Sequence, residues 1–541
     1  MHQKRTLFAA ASCAVLLVTA ACGNSTANNA GNSTPTATAS SSADTGSSSS
    51  ADTGSTSAGT GSSSADTGSS SADTNTGSGS SADTGSSSAD TNTGSGASGS
   101  SGGSTGAGGG GGAGGAGGGL TSDPATAGQT INVLMVNNPQ MVDLQSLTAE
   151  NFTAKTGIKV NFTVLPENDM RNKASLEFKN QAGQYDITTL SNFEVPFYAK
   201  NGWLTPLSDF IAKDPGFNQN DIFPALTSSL SDGGKIYGEP FYGESSFLMY
   251  RKDVFQEKNL TMPANPTWDQ VADLAAKADG AKPGMKGICL RGQPGWGQLG
   301  APLTTMVNTF GGTWFDKDWN AQVNAQPFKD AVNFYVNLVK AHGEVGASSA
   351  GFTECLSAMQ QSKVAMWYDA TSAAGSLEGS DSPVAGKVAY VQAPVKVTKS
   401  SGWLYAWSWM MEKKVAHPDA AWKFISWASS QQYENLVGQK LGWAKVPSGK
   451  RTSLYANPDY NKAAAAFAPA TLEALKNANP TNPGVQPRPT VGIQFVDIPE
   501  FTSLGDSVTK ALSSVIAGNG SVDDALNAGQ RQATEVGRNY K

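Results

Sequence analysis

Between Gly23 and about Gly128 the chain is almost entirely Gly, Ser, Ala, Thr, Asn and Asp, with Ser-Ser-Ala-Asp-Thr-Gly recurring imperfectly. So few apolar side chains cannot bury enough surface to offset the entropy lost on folding. Residues 22–128 are therefore read as a disordered tether, with an r.m.s. span on the order of 50–60 Å for a flexible coil. Folding and function are left to 129–541, which is long enough to bury a large core and rich in Trp, Tyr and Phe. A length of that kind suits two lobes.

Ahead of the tether, Lys4 and Arg5 precede an apolar run from Leu7 to Val18 that ends in Thr19-Ala20-Ala21-Cys22-Gly23. The run is too short for a mature membrane span and has the layout of an export signal. Its end resembles a bacterial lipobox, with Thr19 where that pattern usually has Leu or Val. Residues 1–21 are expected to be removed and Cys22 acylated, which puts the protein on the extracytoplasmic face of the cell membrane; an ordinary secretory cleavage with Cys22 incidental is the alternative. Cys13 leaves with the signal, so the folded region keeps Cys289 and Cys355. These either form a disulfide, as an oxidising compartment permits, or remain small buried hydrophobes.

Without the signal and tether, about 36 basic and 37 acidic groups remain. Such a balance gives no footprint for nucleic acid or a polyanion. The folded region has two histidines, His342 and His417, not at metal-ligand spacing. A zinc site or histidine-based triad is thereby disfavoured, and no cofactor or metal is expected. No P-loop is present either.

The pattern from Ile131 is that of an α/β protein. An apolar run to Val136 breaks at Asn137-Asn138-Pro139, a helical stretch carries Leu144, Leu147 and Phe152 to Gly157, and Ile158, Val160, Phe162 and Val164 then alternate. Tyr185–Leu190 reads as a buried strand, and Thr267-Trp268-Asp269-Gln270 opens a helix to Ala278 with a capping box behind Pro266. A further helix is expected from Asp419 to Ser429, and Gly505-Asp506-Ser507 reads as a helix start with an N-cap. Ligands of parallel α/β sheets sit beyond the strand ends, so the loops there supply candidates. These are Asn137 and Asn138, Asn192 and Glu194, and Tyr242 and Glu244. Asn137 equally suits a turn, and Glu244 a charge near a hinge.

Asn201–Leu207, Lys235–Pro240, Met249–Phe255 and Pro266–Trp268, in that order and spacing, resemble the extracellular solute-binding proteins of ABC importers. The resemblance extends from Gln129 to the C-terminus. It implies two α/β lobes joined by hinge crossovers with the ligand cleft between them, at about 129–241 with 402–440 and about 246–395 with 445–541. It also implies separate permease and ATPase chains and a monomeric binding protein. Gly287–Gly297, Ala365–Thr371, Gly402–Trp407 and Gly442–Pro447 are similar to binders of sugar alcohols such as mannitol, sorbitol and arabitol. Gln298 stands where that pattern often has Glu.

A polyol offers hydroxyls along a hydrocarbon chain, so its receptor needs charged or amide forks together with aromatic faces. Arg291 beside Trp296, and Asp369 beside Trp367, supply this combination. Trp403 and Tyr405, just after a crossover expected near Ala393–Ser401, and Trp443 join the candidates. Arg291 and Asp369 equally suit an interlobe ion pair, and the tryptophans a core. Trp403, Tyr405, Trp407 and Trp409 alternate along an expected strand, a pattern that ordinarily means core. Another sugar, an oligosaccharide or a sugar acid held by Arg291 would suit the same features. A secreted glycoside hydrolase would need two of Glu194, Glu244 and Asp369 across a cleft.

Overall fold

The structure, a computed structural model, describes residues 120–541. The signal, Cys22 and nearly all of the tether lie outside the described residues. Two sheets organise the fold. Strands β1 (Thr130–Val136), β2 (Lys159–Leu165), β3 (Ile187–Ser191), β4 (Gly238–Glu244) and β9 (Tyr405–Met411) form the first, in the order β2-β1-β3-β9-β4. Strands β5 (Ser246–Arg251), β6 (Lys286–Cys289), β7 (Val364–Ala370) and β8 (Val388–Gln392) form the second, in the order β8-β5-β7-β6. Helices cover both, giving two α/β lobes. The chain passes between them at Ser245, which alone separates β4 from β5, and again between β8 and β9. It returns a third time after helix Gln431–Lys440, since helix Ala468–Asn477 packs on β5 and β8.

Local signals account for much of the first lobe. Asn138 caps helix α1 (Pro139–Thr148), its Oδ1 accepting from Met141 N at 3.0 Å, with Pro139 in the first turn. Gly157 ends the helical stretch at φ 77°, a conformation that side chains with a Cβ disfavour. β2 is an edge strand paired in parallel with β1 from Thr130/Lys159 to Val136/Leu165. Helix α2 (Glu167–Asn180) follows it directly, so Glu167, Asn168 and Asp169 stand at the carboxyl end of the sheet. In the second lobe, helix α3 (Trp268–Ala278) has its capping box: Thr267 Oγ1 accepts from Gln270 N, and Gln270 Oε1 accepts from Thr267 N at 2.9 Å.

The aromatic run departs from its expected arrangement. Trp403 precedes β9 and packs on Tyr368 of the second lobe, so the four aromatics do not share a strand face. β9 is central to its sheet and buried throughout, which removes the alternation of an exposed strand. Trp409 lies against Phe241 and Phe424, the latter on helix Pro418–Ala428, whereas Trp407 reaches Arg171. Asp506 lies inside helix Phe501–Ile516 rather than capping it, and its Oδ1 accepts from Trp296 N at 2.8 Å. Tertiary contact has claimed a side chain that local rules assign to a cap. Cys289 and Cys355 are joined in a disulfide, with Cα atoms 5.7 Å apart.

Candidate functional site

A cleft of about 340 Å³ opens between the lobes at the carboxyl ends of β1, β2, β6 and β7. The first lobe supplies Asn137 and Asn138 after β1, Glu167–Asp169 at the start of α2, Tyr242 and Glu244 on β4, and Trp407 on β9. The second supplies Arg291 and Gln293 after β6, Gln298, Ser372 after β7, and Phe352–Glu354 in the first turn of helix α4 (Phe352–Gln360).

Arg291 is the anchor of the second wall. Its Nε and Nη2 donate to Asp369 Oδ2 and Oδ1 at 2.8 and 2.6 Å, and its Nη1 donates to Gly297 O and Gln298 Oε1 at 3.1 and 3.3 Å. Asp369 is fully buried, and its oxygens also accept from Trp367 Nε1 and Ala370 N. Burial alone would lower the guanidinium's hold on its proton; the Asp369 carboxylate outweighs it and raises it. The pair lies within one lobe, since Asp369 is on β7 and Arg291 follows the adjacent β6. It is therefore not an interlobe bridge.

A second arginine stands beside the cleft. Arg171 of α2 donates to Glu167, to Glu194 and to Tyr405 Oη, at 3.1, 3.2 and 2.6 Å. Its guanidinium lies 4.1 Å from the Trp296 ring centre and 4.6 Å from that of Trp407. Trp296 belongs to the second lobe, so this cluster joins the two. The approach is close: a Cβ at Gly297 would lie 2.7 Å from Glu167 Oε1 and 2.8 Å from Arg171 Nε. Direct hydrogen bonds complete the contact. Asn168 Nδ2 donates to Pro294 O, Gln298 Nε2 to Glu167 Oε2, Gln140 Nε2 to Ser372 O, and Ser372 Oγ to Glu244 Oε2. Burial, opposed by that Ser372 bond and by Arg291, pushes the Glu244 carboxyl up to about 8.

Of the residues expected at a ligand site, Asn137, Asn138, Tyr242, Glu244 and Arg291 line the cleft. Asn138 is committed, bonding Met141 N and donating to Tyr242 Oη at 2.9 Å. Asp369 and Trp367 stand behind Arg291. Glu194, Trp296 and Tyr405 gather on Arg171 instead of lining the cleft. Asn192 accepts from Ala406 N and ties β9 to the loop after β3. Trp403 is core. Trp443 packs over Gly438 in a short 3₁₀ turn away from the cleft. The loop rule that selected Asn137 applies equally to Glu167, Asn168 and Asp169 after β2. Gln293 and Gln298 lay in or beside a quoted motif. For Phe352, Thr353, Glu354 and Ser372 no local signal exists, because only tertiary packing aims α4 at the cleft.

Among the described residues, Cys289, Glu344 and Cys355 are the one acid–thiol group close enough to share a metal ion, and the disulfide withdraws both thiols. No helix among those residues is long and apolar enough to cross a membrane.

Two α/β lobes closing on a polar cleft define a solute-binding protein. The profile of the bacterial extracellular solute-binding proteins matches residues 138–435, and the chain belongs to that family. It is 39% identical over 410 residues to a mannitol-binding protein of Pseudomonas aeruginosa, covering 75% of this chain and 93% of the relative. A solute-binding protein of Agrobacterium vitis solved with bound D-mannitol superposes with a TM-score of 0.74 at 42% identity, over 76% of this chain and 99% of the other. One from Agrobacterium radiobacter in complex with ribitol gives 0.68 at 24% identity, over 76% and 99%, and supports the fold.

Proposed function

We propose that the protein captures a linear polyol of the mannitol, sorbitol or arabitol type, or a related monosaccharide, and delivers it to an ABC permease served by a separate ATPase. The observation that carries this reading is the cleft. Its volume of about 340 Å³ lies near the small end of the roughly 300–1,000 Å³ range of ligand sites, and its walls mix amides, carboxyls and a locked arginine with the faces of Trp407 and Phe352. The likeness to the mannitol-binding relative supports the same ligand class. Hydroxyl donors suit Glu167 and Asp169, hydroxyl acceptors suit Asn137 and Gln293, and the neutral Glu244 carboxyl suits either. Asn137, Asn138, Tyr242, Glu244 and Arg291 are the proposed contacts from the sequence, with Asp369 and Trp367 holding Arg291 in place.

No covalent chemistry is involved in this reading. Of the three carboxylates a hydrolase would draw on, Glu194 and Asp369 are each engaged by an arginine. Ligand contacts to both lobes favour the closed form, and only such differential binding drives closure. Acylation at Cys22 would hold the protein at the extracytoplasmic face of the membrane, with the tether as spacer.

The test is a thermal-shift screen of the purified protein against hexitols, pentitols, aldoses, oligosaccharides and sugar acids. A ligand at a hundredfold its Kd stabilises by about 2.7 kcal/mol. A raised Tm with mannitol, sorbitol or arabitol is expected, and a response to oligosaccharides alone would overturn the reading.

A further inference from the structure

Neither arginine at the cleft is free to take an anion. Arg291, the one cation lining the cleft among the described residues, spends Nε, Nη1 and Nη2 on Asp369, Gly297 and Gln298. Arg171 spends its nitrogens on Glu167, Glu194 and Tyr405, with the Trp296 and Trp407 rings against its guanidinium. Four carboxyls, by contrast, lie on the cleft surface: Glu167, Asp169, Glu244 and Glu354. Asp369 and Glu194 sit directly behind the arginines, so acids outnumber bases around the cavity even with Glu244 protonated. Gln298, a neutral amide, links the walls by donating to Glu167 and accepting from Arg291. Glu244 is 6% exposed, and its Oε1 has no hydrogen-bond partner among the described residues while Oε2 accepts from Ser372.

We infer that the cleft rejects polyhydroxylated anions, both sugar acids and phosphorylated polyols, and accepts a polyol carrying a terminal ammonium, with Glu244 as its partner. The inference rests on the polyol reading above and sharpens it. An anion needs an unoccupied charged fork, which neither arginine offers, and it meets carboxylates instead. An ammonium brings three donors to a wall of acceptors, and Glu244 gives up its proton to pair with it.

Four probes titrated calorimetrically at pH 7 decide the matter: D-mannitol, D-mannonate, D-mannitol 1-phosphate and 1-amino-1-deoxy-D-mannitol. Both anions are expected to bind at least about a hundredfold more weakly than mannitol. The amino polyol is expected within about tenfold of mannitol, with a heat that varies with buffer ionisation because a proton leaves Glu244. Glu244→Gln, checked for an unchanged melting profile, should weaken the amino polyol more than mannitol. Should that variant fail to fold, the exposed Asp169→Asn tests the anion arm of the inference, by narrowing the gap between mannonate and mannitol, and an unchanged gap counts against it. Either anion binding within about threefold of mannitol overturns the inference and leaves the polyol reading intact, as does an amino polyol that fails to bind. If none of the four binds and neither sorbitol nor arabitol raises the Tm in the screen above, the polyol reading itself falls.

Discussion

The two walls of the cleft are built to different standards. On the second lobe Arg291 is held on both sides of its fork by Asp369, and Asp369 in turn by Trp367 and the Ala370 amide. The disulfide joins β6, which leads to Arg291, to α4, whose first turn carries Phe352–Glu354. On the first lobe Asn137 and Asp169 are exposed, and Asn168 and Glu167 spend bonds on the opposite lobe. The Arg291–Asp369 centre of the second wall is complete by itself, with Gln298 and Ser372 reaching across from its edge, whereas the first wall is completed by that contact. Binding energy is then spent mainly on bringing the first wall up to a finished second wall, which lowers the ordering cost of capture.

The largest way to break this contrast is Asp369→Ala. It strands a buried guanidinium, and a loss of about 3–5 kcal/mol in unfolding free energy is expected in urea denaturation, together with loss of ligand binding. Replacing both cysteines, Cys289→Ser with Cys355→Ser, removes a cross-link between positions 66 residues apart and should cost about 2–4 kcal/mol. If the staple also sets the second wall, ligand affinity falls with it; unchanged affinity would show that Arg291–Asp369 holds the wall alone.

A pH series separates the cleft from buried acids elsewhere. Burial pushes the carboxyls of Glu239, Glu244 and Glu412 up to about 8, and that of Glu344 up to about 7. Each binds its proton more tightly folded than unfolded, where a carboxyl titrates near 4. The associated stability is therefore full below about pH 4 and lost progressively up to about pH 8. The melting temperature should fall by several degrees from pH 6 to pH 9, and Glu239→Gln, far from the cleft chemistry, should flatten the fall. A melting temperature that rises across this range would contradict the assignment. The smallest effect is expected from Asn168→Ala, which deletes the bond to Pro294 O. It should weaken ligand affinity by roughly 0.5–1.5 kcal/mol in calorimetry and leave stability of the unliganded protein nearly unchanged.

How much of this was legible in the chain follows the range of the signals. Gly157, the break before Pro139 and the Thr267 capping box are local, and the elements they bound appear close to where the residues place them. Asp506 shows the limit: the same cap chemistry is overridden by the Trp296 amide, more than two hundred residues away. At the cleft, residue type identified Arg291 and Asp369 but not their partnership within one lobe, because adjacency of β6 and β7 is a property of the sheet. Glu194 and Tyr405 were sound choices of chemistry, diverted by Arg171, which no local pattern marks. Phe352–Glu354 were invisible for the converse reason, an ordinary helix start aimed at the site by packing and a disulfide.

Hydrogen–deuterium exchange with and without D-mannitol tests the central claim most directly. The account predicts that peptides covering 289–298 and 352–360 are already protected in the free protein, whereas those covering 137–142 and 165–171 gain protection only when mannitol is present. Rapid exchange of the second wall in the free protein, or no ligand response in the first, would contradict it.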